Sequence, residues 1–450
     1  MPLMGVIPAP MRDFARVTWR QGREFRSLLA ALGRSERLAP SELAAHQLHG
    51  LQAVLLRAGR NVPFYREALA DSGLLGTEIT SLADLARLPL IDKGIVRSRP
   101  EDFRDRSVRF IVRGYTSGTT GTPLTVYRDL ASVIQENAII WRQRLWFGVK
   151  PGERLAVLRG EVVTPAARRT PPFWRRDRFA NELLLSSHHL APQNTRAYHD
   201  ALTRFAPAAL YAYPSAAAEL ARLLRDQRLS PPPLRAVFTA SETLRPEDAA
   251  LIGRVFRAPV VDRYGNAERT LAGGHCERGG YHLWTDVTLL ELIPTREGRA
   301  ELVGTPLVGR AMPLLRYRTG DEAVVPAADC RCGRSFPVVA RIEGRLDPLV
   351  RTPDGRRVGR LDHVWKGLAH VAAGQIVQEA DLTVRLRVVP EPGYAAADRA
   401  AIEAHARERL GPDLPILIEE VDRLPRTPAG KFLAVVSHVA TGAEADRETG

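Results

Sequence analysis

Residues 115–123 read Tyr115-Thr116-Ser117-Gly118-Thr119-Thr120-Gly121-Thr122-Pro123, directly after the strand-like run Phe110 to Val112. Small residues let a backbone approach a ligand closely, successive amides form an anion-binding nest, and the hydroxyls add donors for phosphate oxygens. The loop lacks the terminal Gly-Lys-Ser/Thr of a Walker loop. Its glycine spacing is not that of a dinucleotide fingerprint, and Ser117 lacks the Gly-x-Ser-x-Gly frame of a hydrolase elbow. A Ser/Thr/Gly stretch by itself is more often only a loop, so its surroundings decide its meaning.

From about residue 108 onward, short apolar runs alternate with helix-like stretches. The runs are Leu155 to Leu158, Ala209 to Ala212, Ala236 to Ala240 and Val260 to Val261; Ser215 to Gln227 and Pro246 to Phe256 read as helices between them. This is the alternation of an α/β fold built on mainly parallel sheets. Thr288 to Ile293 and Glu301 to Gly304 read as paired strands. Upstream, residues 11–60 read as helical, with Leu48, Leu51, Val54 and Leu55 at helical spacing and Asn61-Val62-Pro63 ending the pattern. Residues 11–33 are basic and amphipathic; a helix packed on its own domain is the expected use, and a peripheral membrane contact the alternative. A second unit begins near 344, with strands at 381–390 and 415–422 and a helix at 394–410, a small α+β domain.

Composition narrows the class. The chain has 450 residues, 45% hydrophobic and 26% charged, which is globular rather than disordered. No run approaches ~18 apolar residues, so no transmembrane helix is expected. The N-terminus lacks the apolar core of a signal peptide. Three cysteines make no disulfide framework and fit a reducing cytoplasm. The net charge of +13 comes almost wholly from arginine, because Lys93, Lys150, Lys366 and Lys431 are the only lysines. The arginines are spread along the chain without a dense block, so no nucleic-acid partner is expected. In such a chain each remaining lysine is a candidate for compact point-charge work that arginine does not do.

The loop is followed by four further stretches in fixed order. They are Asp262-Arg263-Tyr264-Gly265-Asn266-Ala267-Glu268, Tyr317-Arg318-Thr319-Gly320-Asp321, Gly344-Arg345-Leu346-Asp347, and Leu424-Pro425-Arg426-Thr427-Pro428-Ala429-Gly430-Lys431. In this order and spacing they resemble the adenylate-forming (acyl-AMP) ligase superfamily. The branch they resemble is the phenylacetate–coenzyme A ligase and capsule-biosynthesis-ligase family. Asn61-Val62-Pro63-Phe64-Tyr65, Leu88-Pro89-Leu90-Ile91-Asp92-Lys93, Tyr213-Pro214-Ser215 and Gly374-Gln375-Ile376-Val377-Gln378 support that branch, and the resemblance runs from about 45 to 438.

The resemblance implies a large adenylation domain at 1–343, a hinge at 344–347 pivoting on Asp347, and a small mobile C-terminal lid at 348–450 that carries the catalytic lysine. It implies a carboxylate attacking the α-phosphate of ATP, with a thiol then displacing AMP. Attacker and triphosphate are both anionic, so catalysis is mostly positioning and charge neutralisation. By resemblance, Thr116, Ser117, Gly118, Thr119, Thr120 and Gly121 hold the β- and γ-phosphates. Ser241, Glu242, Asp262, Tyr264, Gly265 and Asn266 wall the adenine and nucleotide, Glu268 holds Mg²⁺, and Asp321 takes the ribose hydroxyls. Arg345 reaches ribose or phosphate, and Lys431 bridges the substrate carboxylate and α-phosphate. ATP, Mg²⁺ and coenzyme A are the implied cofactors. The implied partners are a small carboxylic acid and coenzyme A. An amine, sugar, carrier protein or deazaflavin cofactor are alternative acceptors, and a nucleotide-binding pseudoenzyme with a scaffold or regulatory role is the rival of another class.

Three positions depart from the family pattern. Thr122 stands where many relatives carry lysine, Ala267 where a hydroxyl precedes the metal-binding glutamate, and Pro348 follows the pivot, where proline restricts its neighbour. Cys276, Cys330 and Cys332 form a second constellation. Three thiolates and one imidazole complete a tetrahedral zinc site, and His282 is the better fourth ligand because His275 directly abuts Cys276. Some relatives carry a structural zinc here. Trp141, Phe147, Tyr211, Tyr213 and Ala240 are candidate acyl-pocket linings, and the acid itself is left open between aryl, aliphatic and amino acids.

Overall fold

The computed structural model describes residues 21–74, 79–115, 124–165, 167–325, 330–343, 349–359, 361–365, 367–368, 370–422, 424–425 and 434–439. Helices α1 (Arg23–Ser35), α2 (Pro40–Asn61) and α3 (Pro63–Asp71) open the chain, followed by the short α4 (Lys93–Ser98). The expected helical region is interrupted at 36–39. It ends as expected at Asn61-Val62-Pro63, where the extended backbone of Val62 separates α2 from α3 and Pro63 takes the first helical position. The strand ahead of the loop begins two residues later than its apolar run suggests. It is β1 (Val112–Tyr115), and Phe110 lies outside it at 88% exposure.

Strand β2 (Thr125–Arg128) pairs antiparallel with β1, from Val112 opposite Arg128 to Tyr115 opposite Thr125. The hairpin thus holds both ends of the 116–123 segment. The Arg128 guanidinium packs over Gly114, where a Cβ would lie 2.8 Å from its central carbon and push the side chain aside. Helix α5 (Leu130–Trp146) follows, capped by Asp129. One carboxylate oxygen of Asp129 accepts from the Ser132 amide at 2.7 Å, and the other accepts from the Arg310 and Ala311 amides at 2.8 and 2.9 Å.

The main body alternates strand and helix as expected. It runs β3 (Leu155–Arg159), β4 (Trp174–Asp177), β5 (Glu182–Ser186), α6 (Thr195–Phe205), β6 (Ala209–Ala212), α7 (Pro214–Asp226), β7 (Ala236–Ala240), α8 (Pro246–Phe256), β8 (Val260–Gly265), β9 (Ala272–His275) and β10 (Tyr281–Leu283). Together with β14 (Val338–Val339), these strands form a nine-stranded sheet in the order β14-β10-β9-β8-β7-β6-β3-β5-β4. Its centre, β5-β3-β6-β7-β8, is parallel, and both flanks are antiparallel. Alternate residues feed opposite faces. Ala156, Leu158, Leu210, Ala212 and Val237 pack against α6, α7 and α8. Leu155, Ala209, Tyr211, Phe238 and Val261 pack on the other face with α1 and α5, where Phe25 and Leu32 of α1 are buried.

Strands β11 (Thr288–Arg296), β12 (Arg299–Pro306) and β13 (Tyr317–Val324) form an antiparallel sheet, completed by β15 (Arg341–Glu343) after the short β14 (Val338–Val339). The C-terminal unit has its own core. It comprises β16 (Val350–Arg351), β17 (Arg357–Val358), β18 (Val371–Gln378), β19 (Val384–Pro390), α9 (Ala396–Leu410), β20 (Ile416–Glu420) and β21 (Val435–Ser437). Val350, Trp365, Ile376, Leu386, Ile402 and Leu410 are buried in a cluster confined to this unit. Arginines seat it on the body: Arg409 donates to the Gly160 carbonyl at 2.8 Å, and Arg356 to the His188 carbonyl at 2.6 Å. Among the described residues no helix is long and apolar enough to cross a membrane.

Candidate active site

Parallel strands point their carboxyl ends the same way, and the loops leaving those ends border a crevice where α/β proteins bind ligands. Here β3, β6, β7 and β8 end at Arg159, Ala212, Ala240 and Gly265. Outside them opens a cleft of about 1320 Å³. Its far wall is β13 and β15 of the antiparallel sheet, and Leu349, Arg357 and Gly359 of the C-terminal unit complete its rim.

The cleft gathers most of the described motif residues. Ser241, Glu242, Asp262, Tyr264, Gly265, Asn266, Glu268 and Asp321 all line it. Ser241 has φ of +74°, a left-handed backbone that costs a non-glycine residue energy and recurs at functional sites. Glu242 accepts from the Ser215 amide at 3.1 Å, so its carboxylate sits at the N-terminal turn of α7. Asp262 accepts from Thr239 Oγ1 at 2.7 Å and from the Tyr281 hydroxyl at 3.0 Å. Burial nevertheless pushes its carboxyl up to about 6, because the two hydrogen bonds only partly offset lost hydration. The Asp262 amide donates to His275 Nδ1 at 3.1 Å, and burial lowers that imidazole to about 4, keeping it a neutral acceptor.

Tyr264 donates to Asp321 Oδ2 at 2.8 Å, and burial together with the Asp321 charge raises its phenol well above the usual value. Glu268 accepts from the buried Tyr317 hydroxyl at 2.8 Å. Asn266 faces inward on its own loop, accepting from the Thr270 amide at 2.9 Å and donating to Thr270 Oγ1. Ala267 supplies no hydroxyl, but its carbonyl accepts from Arg128 at 2.7 Å, which brings a guanidinium beside Glu268. Thr116 to Pro123, the Gly344 to Pro348 segment with Arg345 and Asp347, and Lys431 lie outside the described residues.

Several lining residues were not singled out by sequence reasoning. Lys93 had the general argument for rare lysines and its place in the Leu88 to Lys93 signature; it lines the cleft at the start of α4. Arg263 stood within the quoted Asp262 to Glu268 stretch without a role of its own, and Glu136 had no such signal. A weak signal existed for Arg159, the charged residue before a glycine at the end of an apolar strand run. The candidate acyl linings are core instead. Trp141, Tyr211 and Ala240 are buried in one hydrophobic cluster with Phe147 packed against it, and Tyr213 is buried in another.

A second constellation lies behind β10. Ligand atoms of Cys276, His282, Cys330 and Cys332 all fall within 4.8 Å of one another. The two sulfurs of Cys276 and Cys330 are 3.6 Å apart, and Cys332 Sγ is 3.3 Å from His282 Nε2. Tetrahedral zinc with metal–sulfur distances of about 2.3 Å places its sulfurs about 3.8 Å apart. His282 Nδ1 lies 3.1 Å from the Phe336 carbonyl, a bond that leaves Nε2 as the free lone pair aimed at the sulfurs. The donor set fits a closed structural zinc site. Gly280 permits this approach, since a Cβ there would lie 2.6 Å from Cys330 Sγ. His275 takes no part.

The fold has counterparts among solved ligases. A solved 2-hydroxyisobutyryl-CoA ligase, in complex with 2-HIB-AMP and CoA in the thioesterification state, aligns with a TM-score of 0.58 at 22% identity, covering 93% of this chain and 94% of that one. Residues 350–438 match the CapK C-terminal domain family. Protein CapK of Staphylococcus aureus is 23% identical over 397 residues, 84% of this chain and 86% of that protein. Phenylacetate-coenzyme A ligase of Thermus thermophilus is 27% identical over 334 residues, 70% of this chain and 73% of that protein. These likenesses support the resemblance to the adenylate-forming superfamily and to its branch that holds CapK and the phenylacetate–coenzyme A ligases.

Proposed function

We propose that this protein is an AMP-forming acid–coenzyme A ligase. The observation that carries the reading is the convergence of Ser241, Asp262, Tyr264, Glu268 and Asp321 on one cleft at the carboxyl ends of the parallel strands. Relatives named as phenylacetate–coenzyme A ligases supply the reaction class. A carboxylate oxygen of the acid attacks the α-phosphorus of ATP, and the bond to the pyrophosphate oxygen breaks. The thiol sulfur then attacks the acyl carbon, the bond to the AMP oxygen breaks, and the thiol proton leaves to solvent.

Asp321 orients the ribose while the Tyr264 ring and the 241–242 turn flank the base. Glu268 would hold Mg²⁺, which supplies charge neutralisation for the phosphates. Thr116 to Gly121 would cradle the β- and γ-phosphates, Arg345 would reach ribose or phosphate, and Lys431 would meet the carboxylate and α-phosphate as charge develops between them. The domain reading is likewise proposed: a body at 1–343, a pivot at Asp347 within 344–347, and a lid from 348. Zinc at Cys276, His282, Cys330 and Cys332 would brace the wall that carries β9 and β10.

Mass-spectrometric product analysis, with ATP, Mg²⁺ and an acid panel in the presence and absence of coenzyme A, tests the reading. The expected products are AMP, pyrophosphate and an acyl-coenzyme A. Acyl-AMP accumulating unchanged with coenzyme A present would assign another acceptor. ATP bound with no AMP formed from any acid would favour a pseudoenzyme.

A further inference from the structure

One wall of the cleft is cationic. Side chains alternate along β8. Asp262 and Tyr264 turn toward Thr239, Tyr281 and Asp321, whereas Arg263 turns the other way to meet Glu136 of α5 at 3.1 Å. Arg159 joins it from the end of β3, its guanidinium carbon 5.1 Å from the Tyr211 ring centre and 5.0 Å from that of Tyr213. Arg159 and Arg263 both line the cleft. Their Nε atoms are buried without a hydrogen-bond partner among the described residues.

Arg128 and Arg269 also line the cleft. Glu136 is set among Arg263, Arg269 and Arg128, while the Glu268 charge reaches Arg128 and that of Asp129 reaches Arg269. Burial works to raise the Glu136 carboxyl, but Arg263, Arg269 and Arg128 outweigh it and hold the group below its usual value, so it is an anion. Arg128 and Arg269 are turned toward the Glu268 end, donating to the Ala267 carbonyl at 2.7 Å and to Ser132 Oγ at 3.0 Å. Arg159 has no carboxylate within ion-pair distance among the described residues, and Glu161 is the carboxylate whose charge reaches it. The rings that would have lined an apolar acyl pocket lie beneath the guanidiniums. Tyr211 is 9% exposed and its phenol is lowered by Arg159, Arg263 and Arg144 against the effect of burial.

We propose that the acid activated here carries a second anionic group, and that Arg159 with Arg263 recognises it on the α5–β3–β8 wall. The inference rests on the ligase reading. It follows from charge complementarity: guanidiniums on the wall of the cleft bind a carboxylate or phosphate bidentately, whereas an apolar chain laid against them displaces their hydration and returns no hydrogen bond. Phenylacetate and simple fatty acids are accordingly excluded as preferred substrates.

ATP–pyrophosphate exchange with matched acid pairs tests this. Butanoate is set against butanedioate, 3-phenylpropanoate against its 4-carboxy derivative, and glycerate against 3-phosphoglycerate. Wild-type protein is compared with Arg159→Met and Arg159→Lys, with melting temperatures recorded for all three. The inference expects the acid bearing the second anion to lead by at least about 100-fold in kcat/KM. The carboxylate and phosphate pairs then tell which anion is taken. Arg159→Met should reduce that lead by about 30-fold or more while retaining exchange with the uncharged partner, and Arg159→Lys should retain part of the lead with a raised KM. Should Arg159→Met fail to fold, the wild-type ratio and the lysine variant still decide. Exchange led by the uncharged acids, or a ratio unmoved in both variants, overturns the inference and leaves the ligase reading standing. No exchange with any acid, while calorimetry detects ATP binding, overturns both.

Discussion

The Tyr264 phenol donates a 2.8 Å hydrogen bond to Asp321, and the two residues belong to different sheets, β8 of the nine-stranded sheet and β13 of the antiparallel one. The bond therefore spans the seam along which the cleft opens. Asp321→Asn keeps the shape but removes the charge, and Asp321→Ala also strands a buried hydroxyl at a cost of about 1–3 kcal/mol. Calorimetry should find nucleotide affinity reduced about tenfold by the first and more by the second. Unchanged affinity in Asp321→Ala would remove this residue from the nucleotide site.

The cysteine and histidine cluster predicts one zinc per chain by elemental analysis. Cys332→Ser should lower metal content and melting temperature together, because binding energy at a structural zinc is folding energy. A strong chelator should have the same effect on the wild type and little on the variant. Wild-type protein that is fully folded and metal-free would contradict the assignment.

The seam between body and C-terminal unit predicts a pH effect. His188 is buried beneath Arg409 and Arg356, and burial first, then the Arg409 charge, lowers its imidazole to about 4. The unfolded imidazole titrates near 6.5, so the folded state favours the neutral ring. Its contribution is complete above about pH 6.5 and is lost as pH falls toward 4. Thermal melts between pH 7.5 and 5 should show stability declining, with a shallower decline in His188→Gln. Identical slopes in the two proteins would contradict this.

Arg142 and Asp286 form an ion pair at 1% and 4% residue exposure, and Asp286 also accepts from Ser35 Oγ at 2.6 Å. Asp286→Ala leaves a buried guanidinium without its partner, which costs about 3–5 kcal/mol. Denaturant unfolding should record a loss of that size. A loss below about 1 kcal/mol would mean that Arg142 finds water or another acceptor.

Much of the fold was legible because parallel strands between helices are short continuous apolar runs. Ala209 to Ala212 and Ala236 to Ala240 match their strands end for end. Phe110 misled because hydrophobicity does not distinguish a strand residue from an exposed ring. The antiparallel flanks were less visible, since β9 is Ala-Gly-Gly-His and carries no apolar pattern. In the site, the carboxylates could be found through their motifs. The aromatic set Trp141, Tyr211 and Tyr213 was not separable from core by residue type alone. Arg159 carried only a weak signal among arginines spread along the whole chain, because only the strand register brings it to the same crevice as Arg263.

The central claim is that this cleft adenylates a carboxylate, with Lys431 meeting the developing charge. ATP–pyrophosphate exchange, run on wild type, Lys431→Ala and Glu268→Gln, addresses it directly. The account predicts acid-dependent exchange in the wild type, reduced at least about 100-fold in both variants while Lys431→Ala still binds ATP. Wild-type exchange rates in Lys431→Ala, with the same acid, would contradict it.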